Sequence, residues 1–571
     1  PTTAPAKPTA DGAASRTYSQ WAASETLEDY SLRYAPKSFR RWSEYTVATT
    51  ALGGIAYLAD FAIGGSIAIT HGFSNAVAAV LAAAVVIFLT GIPISYYSAK
   101  YSIDMDLLTR AAGFGYLGST ITSIVYASFT FIFFALEGSI MAQAFKSGFG
   151  LPLWAGYLVA SLVVLPFVVY GMTALSKLQV WTQPLWMVLM FLPFVFIAFK
   201  DPGSYADWTH FGGKSETGSS FTLLGAGLGA GVALSLIAQI GEQVDYLRFM
   251  PQKTAANAKK WWAAVLVAGP GWVLLGAFKQ LGGAFLAFYV AAKGLGYVKA
   301  DEPIEQYLAG FGSVLTAGVL ALAVFFVILS QVKINVVNAY SGSLSWSNFF
   351  SRVLHWHPGR VVWIFFNVGI ALTLMEVGVF GFLNTVLGFY SNVAIAWIGA
   401  LVADLVINKP LGLSPPIIEF KRAHLHTINP VGFGSMLIAS VVSIAAFYNA
   451  FGEYAQAFSP FIAIAIAFVL SPLFAILTKG KYYIARPDTL ESPMMVDGQL
   501  SAEVIECTVC RTGFERPDMA GCPFHSKPDN MQAICSLCCS LEKSCHDMCK
   551  KPDGQDGRVV DLTLSPSTPG H

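Results

Sequence analysis

Residues 329–348 read LSQVKINVVNAYSGSLSWSN, and the run before them, from Phe311 to Ser330, carries no charge. A bilayer core of roughly 30 Å takes about 20 apolar residues as one helix, so that run is a candidate span. Lys333, Asn335, Asn338 and the serines that follow find no hydrogen bonds in lipid, so they face the protein interior or a water-filled cavity. Polar groups so placed mark where a membrane protein works. Two placements of Lys333 stand open. If the helix stops near Asn338, the ammonium snorkels to the interface. If the polar residues continue the helix through Ser347 toward Arg352, Lys333 is buried and needs a counter-charge, for which Asp60 and Glu137 are available.

The rest of the chain has the same character. Of its 571 residues 55% are hydrophobic and 12% charged, with a mean hydropathy of +0.56, where a soluble domain carries about 25% charged residues. A net charge of +1 gives no basic surface for nucleic acid. Twelve runs reach span length: 46–70, 75–98, 117–145, 152–171, 178–199, 221–243, 262–290, 311–338, 361–379, 381–406, 432–450 and 459–478. They predict an all-α integral membrane protein whose partner is the bilayer, with a membrane domain over 45–486. A polar N-terminal segment (1–44), a Cys-rich segment (487–550) and a disordered tail (551–571) flank it. The opening PTTAPAKPTADGAASRTYSQW lacks the apolar core of a signal peptide, and a start at Pro1 reads as loss of an initiator Met or, equally, as a trimmed chain. Arg33, Lys37, Arg40 and Arg41 precede the first run, and Arg248, Lys253, Lys259 and Lys260 follow the sixth. The loops after the first, ninth and eleventh have no Lys or Arg. The positive-inside rule therefore predicts both termini in the cytoplasm of a multi-pass protein of the plasma (inner) membrane.

All eight cysteines lie between Cys507 and Cys549. Two C-x-x-C knuckles, Cys507/Cys510 and Cys535/Cys538, have the spacing that brings two sulfurs to one tetrahedral ion. Cys522 and His525 would close a first site as Cys₃His. Cys545 and Cys549 would close a second as Cys₄, with Cys539 or His546 spare; interleaved pairings use the same spacings. A disulfide cluster is disfavoured where thiols stay reduced. The expected cofactor is structural Zn²⁺, one or two ions, with an iron–sulfur or redox role as the alternative, because so small a domain lacks a core without such staples.

Charges also enter the predicted spans. The first contains ALGGIAYLADFAIGGSIAIT, with Asp60 between Gly53/Gly54 and Gly64/Gly65. Glycine pairs let helices pack closely or let one unwind, and an unwound turn offers carbonyls and a half-helix N-terminus to an ion and a solute. In the third, Glu137 stands four residues after Phe133, on one helix face. The sixth is glycine-rich, then breaks into Glu242, Asp245 and Arg248. Asp245 and Arg248 read as a surface pair that fixes the loop, with a gating role in transport as the alternative. Lys279 and Asp404 are embedded charges without an assigned partner.

DYLRFMP (residues 245–251), NVVNAYSGSLSWSN (335–348) and KYYIAR (481–486) resemble the nucleobase:cation symporter family of purine, cytosine and hydantoin permeases over roughly residues 25–490. The resemblance implies the LeuT-like fold: two inverted repeats of five helices plus two more, with the first and sixth broken at the centre. It implies that an aromatic on the third helix, with a polar residue four positions on, meets a flat ring; Phe133 and Glu137 match. It implies that an asparagine of the eighth helix bonds the ring edge, which Asn338 fits, with Asn335 beside it. The family's sodium site uses carbonyls of the first helix and a hydroxyl pair about five residues before that asparagine, where this chain has Val332 and Lys333. Sodium-independent transport is therefore expected, or proton coupling through Lys333 with Glu137 or Asp60. Residues 229–241, GAGVALSLIAQIG, supply no aromatic to sandwich a ring.

The expected function is a permease for a small nitrogen-containing solute such as a nucleobase-like compound. The alternative is a transporter-like sensor, whose Cys-rich tail signals to a cytosolic protein of the sensor-histidine-kinase type. An enzyme is not expected, since nothing pairs a nucleophile with a base and the expected metal sites have full ligand sets.

Overall fold

The computed structural model describes residues 32–527 and 530–550. The predicted polar segment up to residue 31 and the predicted tail from 551 lie outside the described residues. Ser43 opens the first helix, α1 (Glu44–Gly54), its hydroxyl accepting from the Thr46 N–H at 3.1 Å. After a break over residues 55–58 the chain resumes as α2 (Ala59–His71), bent by 49° from α1. There follow α3 (Phe73–Tyr101), α4 (Thr120–Phe149), α5 (Leu153–Val163) and α6 (Gly171–Lys200). Then come α7 (Leu223–Ala233), α8 (Ile240–Leu247), α9 (Ala258–Ala268), α10 (Trp272–Ala292), α11 (Val319–Leu354) and α12 (Arg360–Glu376). The last three are α13 (Leu383–Ala403), α14 (Pro430–Phe447) and α15 (Ser459–Thr478).

Among the described residues, nine helical stretches are long and apolar enough to cross a membrane, ten if the bent α1–α2 pair counts as one. The predicted fourth and ninth spans are helical but short: α5 is interrupted at Val164, and α12 has 17 residues. The predicted sixth is not unwound. A 3₁₀ turn, Leu234–Gln239, joins α7 to α8 within one stretch, Leu223–Leu247, which tightens the backbone without freeing it.

The predicted eighth span, 311–338, is displaced. Pro303–Phe311 is a separate short helix, and α11 starts after Gly318 at φ +71° and runs to Leu354. Its 36 residues are held because most of the polar side chains find partners inside the protein, as groups at lipid depth must, Gln331 Oε1 and Asn338 Oδ1 being buried without one. Packing around the break explains the glycines. A Cβ on Gly64 would stand 1.8 Å from the Gln280 carbonyl oxygen, and one on Gly283 2.1 Å from that of Phe61. The backbones of α2 and α10 therefore touch. Both uses of glycine are present: tight packing at Gly64 and Gly283, and a break just past Gly53/Gly54.

The Cys-rich segment forms three antiparallel two-stranded ribbons: β1 (Met495–Val496) with β2 (Gln499–Leu500), β3 (Val504–Glu506) with β4 (Gly513–Glu515), and β5 (Met519–Lys527) with β6 (Asn530–Cys535). The short helix α16 (Ser536–Leu541) follows. The segment covers one end of the bundle. Glu515 accepts from the Lys37 N–H at 2.8 Å and from the Tyr34 hydroxyl. Lys421 donates to the Pro517 carbonyl at 3.2 Å, Arg486 to that of Gly521 at 2.9 Å and Gln252 to that of Leu500 at 3.2 Å. In the loop before α14, burial raises the Glu419 carboxyl but is outweighed by Lys421 at 3.4 Å and His424 at 2.7 Å, which hold it at about 2.

Candidate functional site

The break between α1 and α2 frees backbone groups at both ends, and side chains take them up. Lys279 reaches across from α10 and donates to the carbonyls of Ile55 at 2.8 Å and Tyr57 at 2.9 Å. Its ammonium pairs with Asp60 at 2.9 Å and stands 3.6 Å from the centre of the Tyr57 ring. Gln280 donates to the other Asp60 oxygen at 2.9 Å. Carbonyl oxygens, a carboxylate and a ring face are the elements of a cation cage. Here the cation is part of the chain. On the other side of the break, the N–H groups of Leu58 and Ala59 donate to Glu137 at 3.2 and 3.1 Å. A carboxylate thus occupies the N-terminus of α2, where backbone donors and the helix dipole favour an anion. Lys279, Asp60 and Glu137 are all fully buried.

Near this centre stand polar atoms with no partner: Glu242 Oε1 and Asn338 Oδ1 are buried and unbonded. Glu242 lies within Coulombic reach of Glu137 and Tyr57, and its other oxygen accepts from Gln239 at 2.6 Å. Asn338 donates to Asn335 at 3.1 Å, and Asn335 to the Phe134 carbonyl at 3.3 Å, beside Gly138 and hence Glu137. Phe133 is buried against Phe129, ring centres 4.5 Å apart. The structure therefore gathers Asp60, Glu137, Asn335 and Asn338, and adds Lys279, Gln280 and Glu242.

Lys333 is placed differently from expectation. The helix does run past it and it is buried. Its ammonium, however, bonds neutral groups of α6: Thr182 Oγ1 at 2.7 Å, Gln183 Oε1 at 3.1 Å and the Gln179 carbonyl at 3.1 Å. Gln179 returns a bond to the Lys333 carbonyl at 2.8 Å, so the side chain ties α11 to α6. The expected pairing with Asp60 or Glu137 is corrected, because α10 lies against the break and α11 presents Lys333 to α6. A signal existed in the sequence: GAFKQLGG sets Lys279 among the glycines that let α10 reach α2.

The serines of α11 answer to buried acids. Ser341 donates to Asp245 at 2.6 Å, and Ser345, one turn on, to Asp106 at 2.9 Å. Asp106 also faces Arg352 at 3.7 Å, while Arg248 donates to the Tyr340 hydroxyl at 2.7 Å and faces Asp104 at 3.8 Å. Asp245 and Arg248 are fully buried, which corrects the surface-pair reading. They join α8 to α11, at the end of the bundle that carries the Cys-rich segment. At the other end a cavity of about 220 Å³ opens between Ile67 and His71 of α2, Leu228 of α7, Asn384 of α13 and Phe447 of α14. Asp404 faces Lys409 at 3.7 Å.

In the tail, the sulfurs of Cys507, Cys510, Cys535 and Cys538 all lie within 4.8 Å of one another. The Cys535 N–H points at Cys507 Sγ and the Cys538 N–H at Cys535 Sγ, both at 3.3 Å. A metal–sulfur bond of about 2.3 Å in a tetrahedron puts sulfurs roughly 3.8 Å apart, so the donor set fits one thiophilic ion. The predicted pairing is corrected: the two knuckles share one site because β5 and β6 fold Cys535 back beside Cys507. His525 instead stands 3.7 Å from Glu542.

A sequence-family model described as permease for cytosine/purines, uracil, thiamine, allantoin matches residues 34–411. Mhp1, a nucleobase-cation-symport-1 family transporter, in a closed conformation with bromovinylhydantoin bound, is 15% identical with a TM-score of 0.59, covering 78% of this chain and 97% of its own. The inward-facing conformation of Mhp1 is 14% identical with a TM-score of 0.57, covering 79% and 94%. A substrate-bound, outward-open Na⁺-coupled sialic acid symporter is 13% identical with a TM-score of 0.54, covering 78% and 93%. At such identities the likeness is one of fold, and that fold is LeuT-like. No curated protein sequence matches.

Proposed function

Because the chain belongs to the family of permeases for cytosine/purines, uracil, thiamine and allantoin, we propose that it carries a small nitrogen-rich solute past the break between α1 and α2 without a sodium ion. The observation that carries the second half is Lys279. Its ammonium fills the carbonyl-and-carboxylate cage, with contacts of 2.8, 2.9 and 2.9 Å, and a free cation would have to displace it. The unbonded oxygens of Asn338 and Glu242 offer acceptors to the N–H groups of a nitrogen-rich ring. A solute that satisfies them gains what buried orphan groups otherwise cost, about 1–3 kcal/mol each. Asn335 and the Phe133 ring complete this reading of the site, and Asp245 with Arg248 latches the end next to the tail. The 220 Å³ cavity is the approach from the other end. The basic loops on the tail side support a cytoplasmic placement of that end in the plasma membrane, and the Cys₄ cluster supports a structural Zn²⁺ there.

Uptake of labelled uracil, hypoxanthine, allantoin and hydantoin into liposomes, with sodium or choline outside, tests both parts. Uptake of one of them unchanged by sodium is expected. A steep sodium dependence overturns the cage assignment, and binding of none overturns the solute class.

A further inference from the structure

Half of the cysteines are not used by the Cys507/Cys510/Cys535/Cys538 cluster. The other four, Cys522, Cys539, Cys545 and Cys549, come from β5, α16 and the last described turns. All four line one cavity of about 20 Å³, just enough for a single small occupant. None of the eight cysteines is in a disulfide.

Cys522 and the Cys545–Cys549 turn line this cavity together, and the Cys545 thiol donates to the Glu542 carbonyl at 3.6 Å. Cys545 and Cys549 stand four residues apart in one turn, much as Cys535 and Cys538 stand three apart in the first cluster.

We infer that Cys522, Cys539, Cys545 and Cys549 form a second tetrathiolate site for a thiophilic divalent ion, at the seam between the tail and the membrane bundle. The sulfurs ring the cavity more loosely than those of the first cluster, so binding draws the Cys545–Cys549 turn inward and releases the thiol protons to solvent. That turn is already anchored to the bundle. Arg422, in the loop before α14, donates to the carbonyls of Cys539 at 2.8 Å and Glu542 at 2.6 Å and pairs with Asp547 at 2.9 Å. Ala423 and Arg486 form the bundle side of the cavity wall. An ion here would fix the turn that Arg422 grips, so it would stiffen the side of the tail that meets the bundle, whereas the first cluster holds no partner of Arg422.

The test is metal stoichiometry on the full-length protein in detergent, stripped with a strong chelator and reloaded with Zn²⁺. Two ions per chain are expected, falling to one in the Cys522→Ser/Cys545→Ser variant and to one in Cys507→Ser/Cys535→Ser. Titration of stripped wild type with Co²⁺, read by sulfur-to-cobalt charge-transfer absorption, needs no variant and should saturate at two equivalents. One equivalent in wild type, two ions retained by Cys522→Ser/Cys545→Ser, or fewer than eight thiols in denatured, stripped, unreduced protein overturns the proposal.

Discussion

Replacing Lys279 by alanine should convert the centre from one that ignores sodium into one that needs it. In the native chain Lys279 and Asp60 lie 2.9 Å apart, both side chains wholly buried. Removing one partner of such a pair strands the other charge, at a cost of about 3–5 kcal/mol. Alanine also leaves room bounded by the Ile55 and Tyr57 carbonyls and the Asp60 carboxylate, an all-oxygen set suited to a hard cation. Sodium that binds this gap only in the folded state stabilises it by RT ln(1 + [Na⁺]/Kd), about 2.7 kcal/mol at a hundredfold excess over Kd. Much of the loss should therefore return in salt. Lys279→Met fills the same gap with apolar atoms and should show the loss without the recovery. The assay is thermal unfolding followed by tryptophan fluorescence, in sodium chloride against choline chloride at constant ionic strength. Equal stabilisation of wild type and Lys279→Ala by sodium refutes the reasoning, as does an alanine variant as stable as wild type in choline.

Glu137→Gln removes the charge that caps the N-terminus of α2; a loss of up to about 2 kcal/mol in stability and a fall in uptake are expected, checked by unfolding and liposome flux. Ser345→Ala leaves an Asp106 oxygen without its 2.9 Å donor and should cost about 1–3 kcal/mol, read by the same unfolding assay. Glu419 is held at about 2, well below the ordinary 4.5, so the unfolded chain binds more protons between those values and stability falls as pH drops through that window. The contribution present above pH 4.5 is on the order of 3 kcal/mol, and Glu419→Gln should flatten the acid limb of a stability–pH profile. Chelator treatment should expose residues 495–550 to protease while the helical core resists cleavage, as fragment masses would show.

The helices were legible because apolar runs of span length have few other fates, and the break after Gly53/Gly54 because a carboxylate stood beside it. The extent of α11 was not. Serines read singly as an approach to a surface, and only the placement of Asp106 and Asp245 from distant segments turned Ser341 and Ser345 into interior residues. Lys333 and Lys279 differed in what touches them: two lysines in apolar runs look alike until the neighbouring helix is known. Gly276, Gly282 and Gly283 were the one local hint that the α10 lysine had backbone to reach. The cysteine spacings identified ligands and left their partition open, since a β-ribbon brings together knuckles separated by 24 residues between Cys510 and Cys535 that spacing alone treats as separate.

The tether on Lys279 has a thermodynamic consequence. An ion that dissociates links a carrier to its own chemical potential: occupancy follows concentration on each face, and a difference between faces performs work. A charge bonded through four methylenes to a backbone that touches α2 has no such reservoir. Its local concentration is set by geometry and is the same whichever side the centre addresses. On the sodium-free transport proposed above, no ion gradient is spent at this point, so uphill movement of a solute must draw on some other flow, and with none available the solute equilibrates.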